Sequence, residues 1–102
     1  MIAFEALGDS TRRQIVELLS ERELSAGEIA SRFEMSAPAI SQHLKVLRES
    51  RVVHVRIDAQ RRIYSIDPAG LAEIDAWLRR VRRFWAGRLD ALENQLKENR
   101  DG

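Results

Sequence analysis

The sequence predicts a mostly α-helical fold with one small β-hairpin, contained in a single domain. Apolar residues recur at three- and four-residue steps along most of the chain, which is the period of an amphipathic helix. They alternate with polar residues only between about 53 and 66, which is the period of a strand. A length of 102 residues fits one domain, taken here as residues 1–102.

Two helices are expected at the start of the chain. Residues 2–7 predict a short apolar helix, which ends in a turn. Asp9 or Ser10 can then accept the first free amides of a second helix that runs to about Ser20.

A third helix follows a short strand at Leu24 and Ser25. Ser25 and Glu28 have the spacing of a capping box, in which each side chain bonds the other residue's backbone amide. We therefore expect a helix over residues 26–33.

The fourth helix is the most informative segment. Ser36 is placed to cap it, and Pro38 is tolerated because it falls in the first turn. The helix extends to Arg48, and only residues 34–35 separate it from the third helix. Two short helices joined by so tight a turn form a helix-turn-helix pattern.

A hairpin and one long helix complete the chain. Residues 53–57 and 63–66 predict its two strands, and the polar residues 59–62 lie at its tip. The turn lacks an Asn-Gly or Asp-Gly pair, so its geometry stays open. Pro68 opens the last helix, which is expected over about 68–97.

The fourth helix has one apolar row and one slim polar face. Ile40, Leu44 and Leu47 form the row that should face the core. The residues expected to project outward are Ala37, Pro38, Ser41, Gln42, Lys45 and Arg48. A slim leading turn can enter a DNA major groove about 12 Å wide, where a glutamine can bond adenine with about 1–3 kcal/mol of discrimination. The alternative is a capped surface helix with a solvated polar face.

Positive charge is concentrated around this helix. The net charge is only +1, but residues 36–62 hold six basic and two acidic residues. A basic hairpin beside a slim helix can reach the DNA backbone, although each arginine there can equally be an idle surface group. The candidate DNA-binding residues are Ser36, Ala37, Pro38, Ser41, Gln42, His43, Lys45, Arg48, Arg56, Arg61 and Arg62.

The last helix has a broad apolar face that a thin core cannot cover. A domain of this size buries only about 65% of its unfolded surface. The stripe comprises Leu71, Ile74, Leu78, Val81, Trp85, Leu89, Leu92 and Leu96, widened by Trp77 and Phe84. A second copy of the chain is the preferred cover. Alternatively, Trp77, Phe84 and Trp85 line a pocket for an organic effector, with the arginines of residues 79–83 beside it.

Four segments together resemble ArsR/SmtB-type winged-helix repressors. They are residues 8–19, 24–30, 36–47 and 63–68, and the tail at 84–93 is similar to a subgroup without metal sites. The resemblance implies a winged helix-turn-helix homodimer, paired through the first and last helices and bound to an inverted-repeat operator in double-stranded DNA. It adds Ile2 and Phe4 to the expected dimer interface. Two departures concern the wing, since Arg51 and the tip 59–62 lack the family's usual glycines.

Metal-dependent and enzymatic functions are not expected. The chain has no cysteine, so thiolate metal sites and disulfides are excluded. The only histidines, His43 and His54, have no evident partner for a metal site. The serines fall in caps, turns and helix faces without a nucleophile motif. We expect no cofactor and no catalysis, and a cytoplasmic location because no leader or membrane span is evident.

Two functional alternatives stay open at this point. A winged helix can serve as a protein-interaction module that does not touch DNA. A repressor can be released by an unknown organic effector, or it can act constitutively.

Overall fold

The computed structural model describes residues 2–101, apart from the side chains of Leu89 and Asp101. Its elements in chain order are α1 (Ile2–Ala6), α2 (Ser10–Glu21), β1 (Leu24–Ser25), α3 (Ala26–Ala30), α4 (Ala37–Glu49), β2 (Val53–Asp58), β3 (Arg61–Ile66) and α5 (Pro68–Asp101). The predicted fold class, mostly helical with a small hairpin, is confirmed.

Two helix ends differ from the prediction by more than one residue. The third helix ends at Ala30 rather than at residue 33, because the chain tightens there into turns. The Arg32 amide donates to the Ile29 carbonyl at 3.0 Å and the Phe33 amide to the Ala30 carbonyl at 3.3 Å, so both bonds span three residues. The last helix continues to Asp101, beyond the predicted 97.

The predicted caps are present. Asp9 Oδ1 accepts from the Arg12 amide at 3.1 Å, and Ser36 Oγ accepts from the Ala39 amide at 3.2 Å. Ser25 and Glu28 form the reciprocal capping box, with bonds of 3.0 and 3.1 Å. The Ser25 amide is the main reason that the pKa of Glu28 lies below its ordinary value, because it bonds the ionised carboxylate.

The core lies where α2, α3 and α4 meet the sheet. Its largest fully buried side chains are Ile15, Ile29, Ile40, Leu44, Leu47, Val52 and Val53. The predicted inner row of α4 is therefore buried, and its polar face is turned outward.

The strands form a three-stranded antiparallel sheet in the order β1-β3-β2. Asp58 is paired with Arg61, so only Ala59 and Gln60 connect β2 to β3. Ala59 has a φ of 57°, a region that glycine prefers. The turn geometry that the sequence left open is therefore a tight two-residue connection without glycine.

Arg51 ends α4 in a left-handed conformation, with a φ of 59°. The Arg51 amide donates to the Arg48 carbonyl at 3.1 Å and the Val52 amide to the Leu47 carbonyl at 3.0 Å. This pair of bonds is the Schellman motif, whose left-handed position usually holds glycine. The motif therefore forms here with an arginine at the position where glycine is usual.

Gly70 docks the start of α5 on this motif. Its amide donates to the Arg51 carbonyl at 2.8 Å, and the residue is buried. A Cβ atom at position 70 would lie 3.0 Å from Val52 Cα and closer still to the Arg51 carbonyl. Only a glycine at position 70 allows the start of α5 to lie this close to the backbone of Arg51 and Val52.

Beyond this junction α5 extends away from the rest of the molecule. The overall extents are 60 × 26 × 20 Å, and 34 residues of helix correspond to about 51 Å. The Phe4 ring lies 4.7 Å from the Trp77 ring, so α1 covers part of the first half of α5. None of the described helices is long and apolar enough to cross a membrane.

Replacing Gly70 by alanine should lower the free energy of unfolding by about 1–3 kcal/mol, since the new methyl group meets backbone that cannot move aside. The matched control is Gly87→Ala in the exposed middle of α5, where a Cβ meets nothing within 4 Å. The change at Gly87 should raise the free energy of unfolding by about 0.5–1 kcal/mol, because alanine favours a helix more than glycine does. Urea denaturation at one fixed protein concentration measures both, and equal effects would contradict the close approach at Gly70.

Candidate nucleic-acid interface

The outer face of α4 is open to solvent and slim at its leading end. Ser36 caps the helix, and the exposed Ala37 and Pro38 form its first turn. The exposed polar side chains that follow are Ser41, Gln42, Lys45 and Arg48. Sequence reasoning placed all these residues on the outer face, and the structure shows them there.

A groove runs between α4 and β3 of the wing. Ser41, Lys45 and Arg48 line it from the helix, and Arg62 lines it from the strand. The buried ring of Tyr64 completes the lining. Three positive charges therefore surround one open groove beside the helix face that carries Gln42, which suits a polyanion.

The three predicted wing arginines do not share one face of the sheet. Residues that are directly opposite in an antiparallel pair point to the same side. Arg62 is opposite Ile57, in the same set as Tyr64, and faces the groove. Arg56 and Arg61 belong to the alternate set and point to the other side.

The two arginines on that other side are close to acidic groups. Arg56 Nε lies 3.1 Å from Glu23 Oε2 in an ion pair. The positive charge of Arg61 contributes to the lowered pKa of Glu28, although the Ser25 amide contributes more. In the part of the chain that the structure describes, no such ion pair involves Arg62. Glu23 precedes Arg56 by 33 residues, so no local sequence signal could have shown this pairing.

His43 points toward the start of α2. Its side chain is only 18% exposed, and its Nδ1 lies 3.4 Å from an Arg12 terminal nitrogen and 3.9 Å from Asp9 Oδ1. The pKa of Asp9 lies below its ordinary value, chiefly because the Arg12 amide bonds the ionised carboxylate. Sequence reasoning grouped His43 with the DNA-binding residues and missed its contact with Arg12.

His54 lies on the opposite side of the sheet from the groove. Its Nε2 is 2.7 Å from the Ser65 hydroxyl, and the pair is exposed. Among the described residues, no three or more histidine, aspartate or glutamate side chains gather in a group that could hold a metal ion.

Most of the predicted dimer residues are exposed in the single chain. Ile2, Phe4, Leu71, Leu78, Phe84, Trp85 and Leu92 are exposed, while Ile74, Trp77 and Val81 are half-buried. Phe84 is 83% exposed and Leu92 is 55% exposed, which is unusual for such large apolar side chains. The side chain of Leu89 lies outside the described part of the structure.

The three aromatic residues suggested for an effector pocket do not meet in one place. Trp77 packs against Phe4, whereas the Phe84 ring lies 5.9 Å from the Trp85 ring. Arg88 lies over the Trp85 ring at 4.8 Å, which is a cation–π contact.

Comparisons with known proteins agree with this geometry. The family described as bacterial regulatory protein, arsR family, matches residues 9–55, which run from the start of α2 into β2. The chain is 47% identical over 99 residues to the HTH-type transcriptional regulator Rv2034 of Mycobacterium tuberculosis, covering 97% of this chain and 90% of that protein. It is 36% identical over 75 residues to the transcriptional repressor SdpR of Bacillus subtilis, covering 74% and 83% respectively.

A solved structure shows the same fold. The crystal structure of a possible transcriptional regulator for arsenical resistance is 39% identical and superposes with a TM-score of 0.75. The match covers 90% of this chain and 93% of that one. The chain therefore belongs to the arsR family of bacterial regulatory proteins and is a DNA-binding transcriptional regulator.

Proposed function

We propose that this chain represses transcription by binding an inverted-repeat operator as a homodimer, with α4 of each protomer in a major groove. The observation that carries the proposal is the positively charged groove beside the exposed face of α4. The similarity to a protein named as a transcriptional repressor supports the direction of regulation.

Base reading is assigned to the exposed middle of α4. Ser41 and Gln42 follow a first turn of small residues, so the helix can approach the floor of a major groove. The Gln42 amide can bond both exposed groups of an adenine, and the Ser41 hydroxyl can donate or accept. These two residues carry sequence preference in our proposal.

Phosphate binding is assigned to Lys45, Arg48 and Arg62. They line one groove from two elements, so a single DNA backbone can contact both helix and wing. Arg56 and Arg61 are secondary, because acidic neighbours already offset part of their charge.

Dimerisation is assigned to α1 and α5. Leu78, Trp85, Leu92 and Leu96 remain 41–61% exposed on one side of α5, and no other element of the described chain covers them. A second copy would bury this stripe and place two α4 helices about one helical turn of DNA apart, roughly 34–36 Å. An organic effector at Phe84 and Trp85 is a further hypothesis, which a thermal-shift screen of metabolites would test.

Ser41→Ala and Gln42→Ala should each reduce the preference for operator over unrelated DNA by about 1–3 kcal/mol, because base-edge bonds are lost. Fluorescence anisotropy titrations with the region upstream of the gene and with scrambled DNA measure this preference. The control is Gln14→Ala, which removes an exposed glutamine from α2.

If sequence preference survives both α4 changes, the reading face lies elsewhere. If the unchanged protein does not bind its upstream DNA at all, the protein-interaction alternative is favoured instead. A reporter gene that falls in expression when the chain is removed would contradict repression.

Arg62→Gln should weaken binding to all DNA sequences and lower the slope of log K against log salt by about one. Arg56→Gln is the matched control, since it makes the same chemical change on the other side of the same wing, where Glu23 pairs the charge. Titrations at several salt concentrations give both slopes. A larger effect from Arg56→Gln would show that DNA meets the opposite side of the wing.

Leu92→Glu should convert the dimer to a monomer, because two carboxylates would be buried at the α5 contact. Asn94→Glu adds the same charge two residues later, on the opposite side of the helix, and should leave the dimer intact. Light scattering distinguishes a protomer of 11.7 kDa from a particle of twice that mass. A monomeric unchanged protein would refute the assigned interface.

A further inference from the structure

Arg12 joins three helices through one side chain. It lies on α2 and is half-buried. Its Nε donates to the Ala6 carbonyl at the end of α1, at 2.5 Å, and one of its terminal nitrogens lies 3.4 Å from His43 Nδ1 on α4. Its backbone amide is bonded to the Asp9 carboxylate, which fixes the start of α2.

The bond to Ala6 satisfies a carbonyl at the end of a helix of only five residues. Arg13 does the same for the next carbonyl, donating to Leu7 at 2.7 Å. A positive charge near the C-terminal end of α1 is also attracted by the negative end of that helix's dipole. Two neighbouring arginines therefore clamp α1, whose Phe4 ring packs on Trp77 of α5.

The contact with His43 has a defined direction. A guanidinium group only donates hydrogen bonds, so Nδ1 of the imidazole must accept and the ring proton is assigned to Nε2. His43 lies directly between the exposed Gln42 and the buried Leu44. Holding its ring therefore restrains the rotation of α4 about its own axis at the residue next to Gln42.

We propose that Arg12 is a positioning residue that fixes the DNA-reading face of α4 through His43 and ties it to α1. His43 then contributes to DNA binding through orientation rather than through a contact of its own. The consequence for operator affinity rests on the proposed function, whereas the restraint on α4 belongs to the free protein.

The two roles of His43 predict different behaviour in a double-mutant cycle. A direct DNA contact is lost independently of Arg12, so the two effects multiply. If His43 acts only through Arg12, changing His43 causes no further loss of affinity once Arg12 has been changed. The two fold losses then do not multiply.

The experiment compares His43→Leu, which removes the acceptor, with His43→Asn, whose side-chain oxygen can take the place of Nδ1. In operator titrations we expect about a tenfold loss of affinity for His43→Leu and less than about threefold for His43→Asn, since only the first leaves the guanidinium without its acceptor. Arg12→Met should lose at least as much as His43→Leu.

The double variant His43→Leu/Arg12→Met should bind within about twofold of Arg12→Met alone. The control is Lys45→Met, whose loss should multiply with that of Arg12→Met because Lys45 lines the groove and does not touch this joint. Multiplying effects of His43 and Arg12, or equal losses from His43→Leu and His43→Asn, would overturn the proposal.

A second measurement needs no DNA. Amide hydrogen exchange in the first half of α4 should be faster in His43→Leu and Arg12→Met, and unchanged in His43→Asn. Thermal melting verifies that each variant is folded, and Arg12→Lys replaces Arg12→Met if that variant does not fold. Unchanged exchange in every folded variant would refute the restraint on α4. Absence of operator binding by the unchanged protein would refute only the proposed function.

Discussion

Burial of one row of α4 side chains decides the orientation of the groups assigned here to DNA binding. Ile40, Leu44 and Leu47 are at most 2% exposed and pack into the core. Because the helix repeats every 3.6 residues, this row leaves Ser41, Gln42 and Lys45 on the solvent side. A rotation of α4 by one residue would expose a leucine and bury a polar group, at a cost of several kcal/mol. Core packing therefore decides which side chains of α4 are available to contact DNA.

The sheet imposes a second division, between the two sides of the wing. The register of the strands places Arg62 on the side that faces the groove. It places Arg56 and Arg61 on the other side, near Glu23 and Glu28. Glu23 and Glu28 offset part of the positive charge on that second side, whereas the described structure shows no ion pair at Arg62 on the groove side. A chain with a net charge of only +1 can in this way present a cationic groove to DNA while the rest of the chain is net negative.

Local sequence patterns were sufficient for the elements, their caps and the outer face of α4. Each depends on residues no more than four apart, such as Val53 with Val55, Ser25 with Glu28 or Ile40 with Leu44. The pairing of Arg56 with Glu23 and the contact of Arg12 with His43 span 33 and 31 residues, and only the folded chain brings those groups together. The left-handed conformation of Arg51 was also not predictable from its residue type. It belongs to the Schellman motif at the end of α4, on which Gly70 docks, and no periodic pattern reveals the role of that glycine.

The long helix α5 links the position of α4 within one protomer to the geometry of the proposed dimer. Its start is fixed to the end of α4 by the Gly70 amide, and its first half carries α1 through Trp77. Each α4 is therefore attached rigidly to the helix that we assign to the partner contact. A twofold axis through α5 would relate two reading faces that cannot move independently, which favours an operator with matching half-sites at one spacing. The exposed stripe from Leu78 to Leu96 is then required for sequence recognition as well as for stability, because a lone protomer reads only half of such a site.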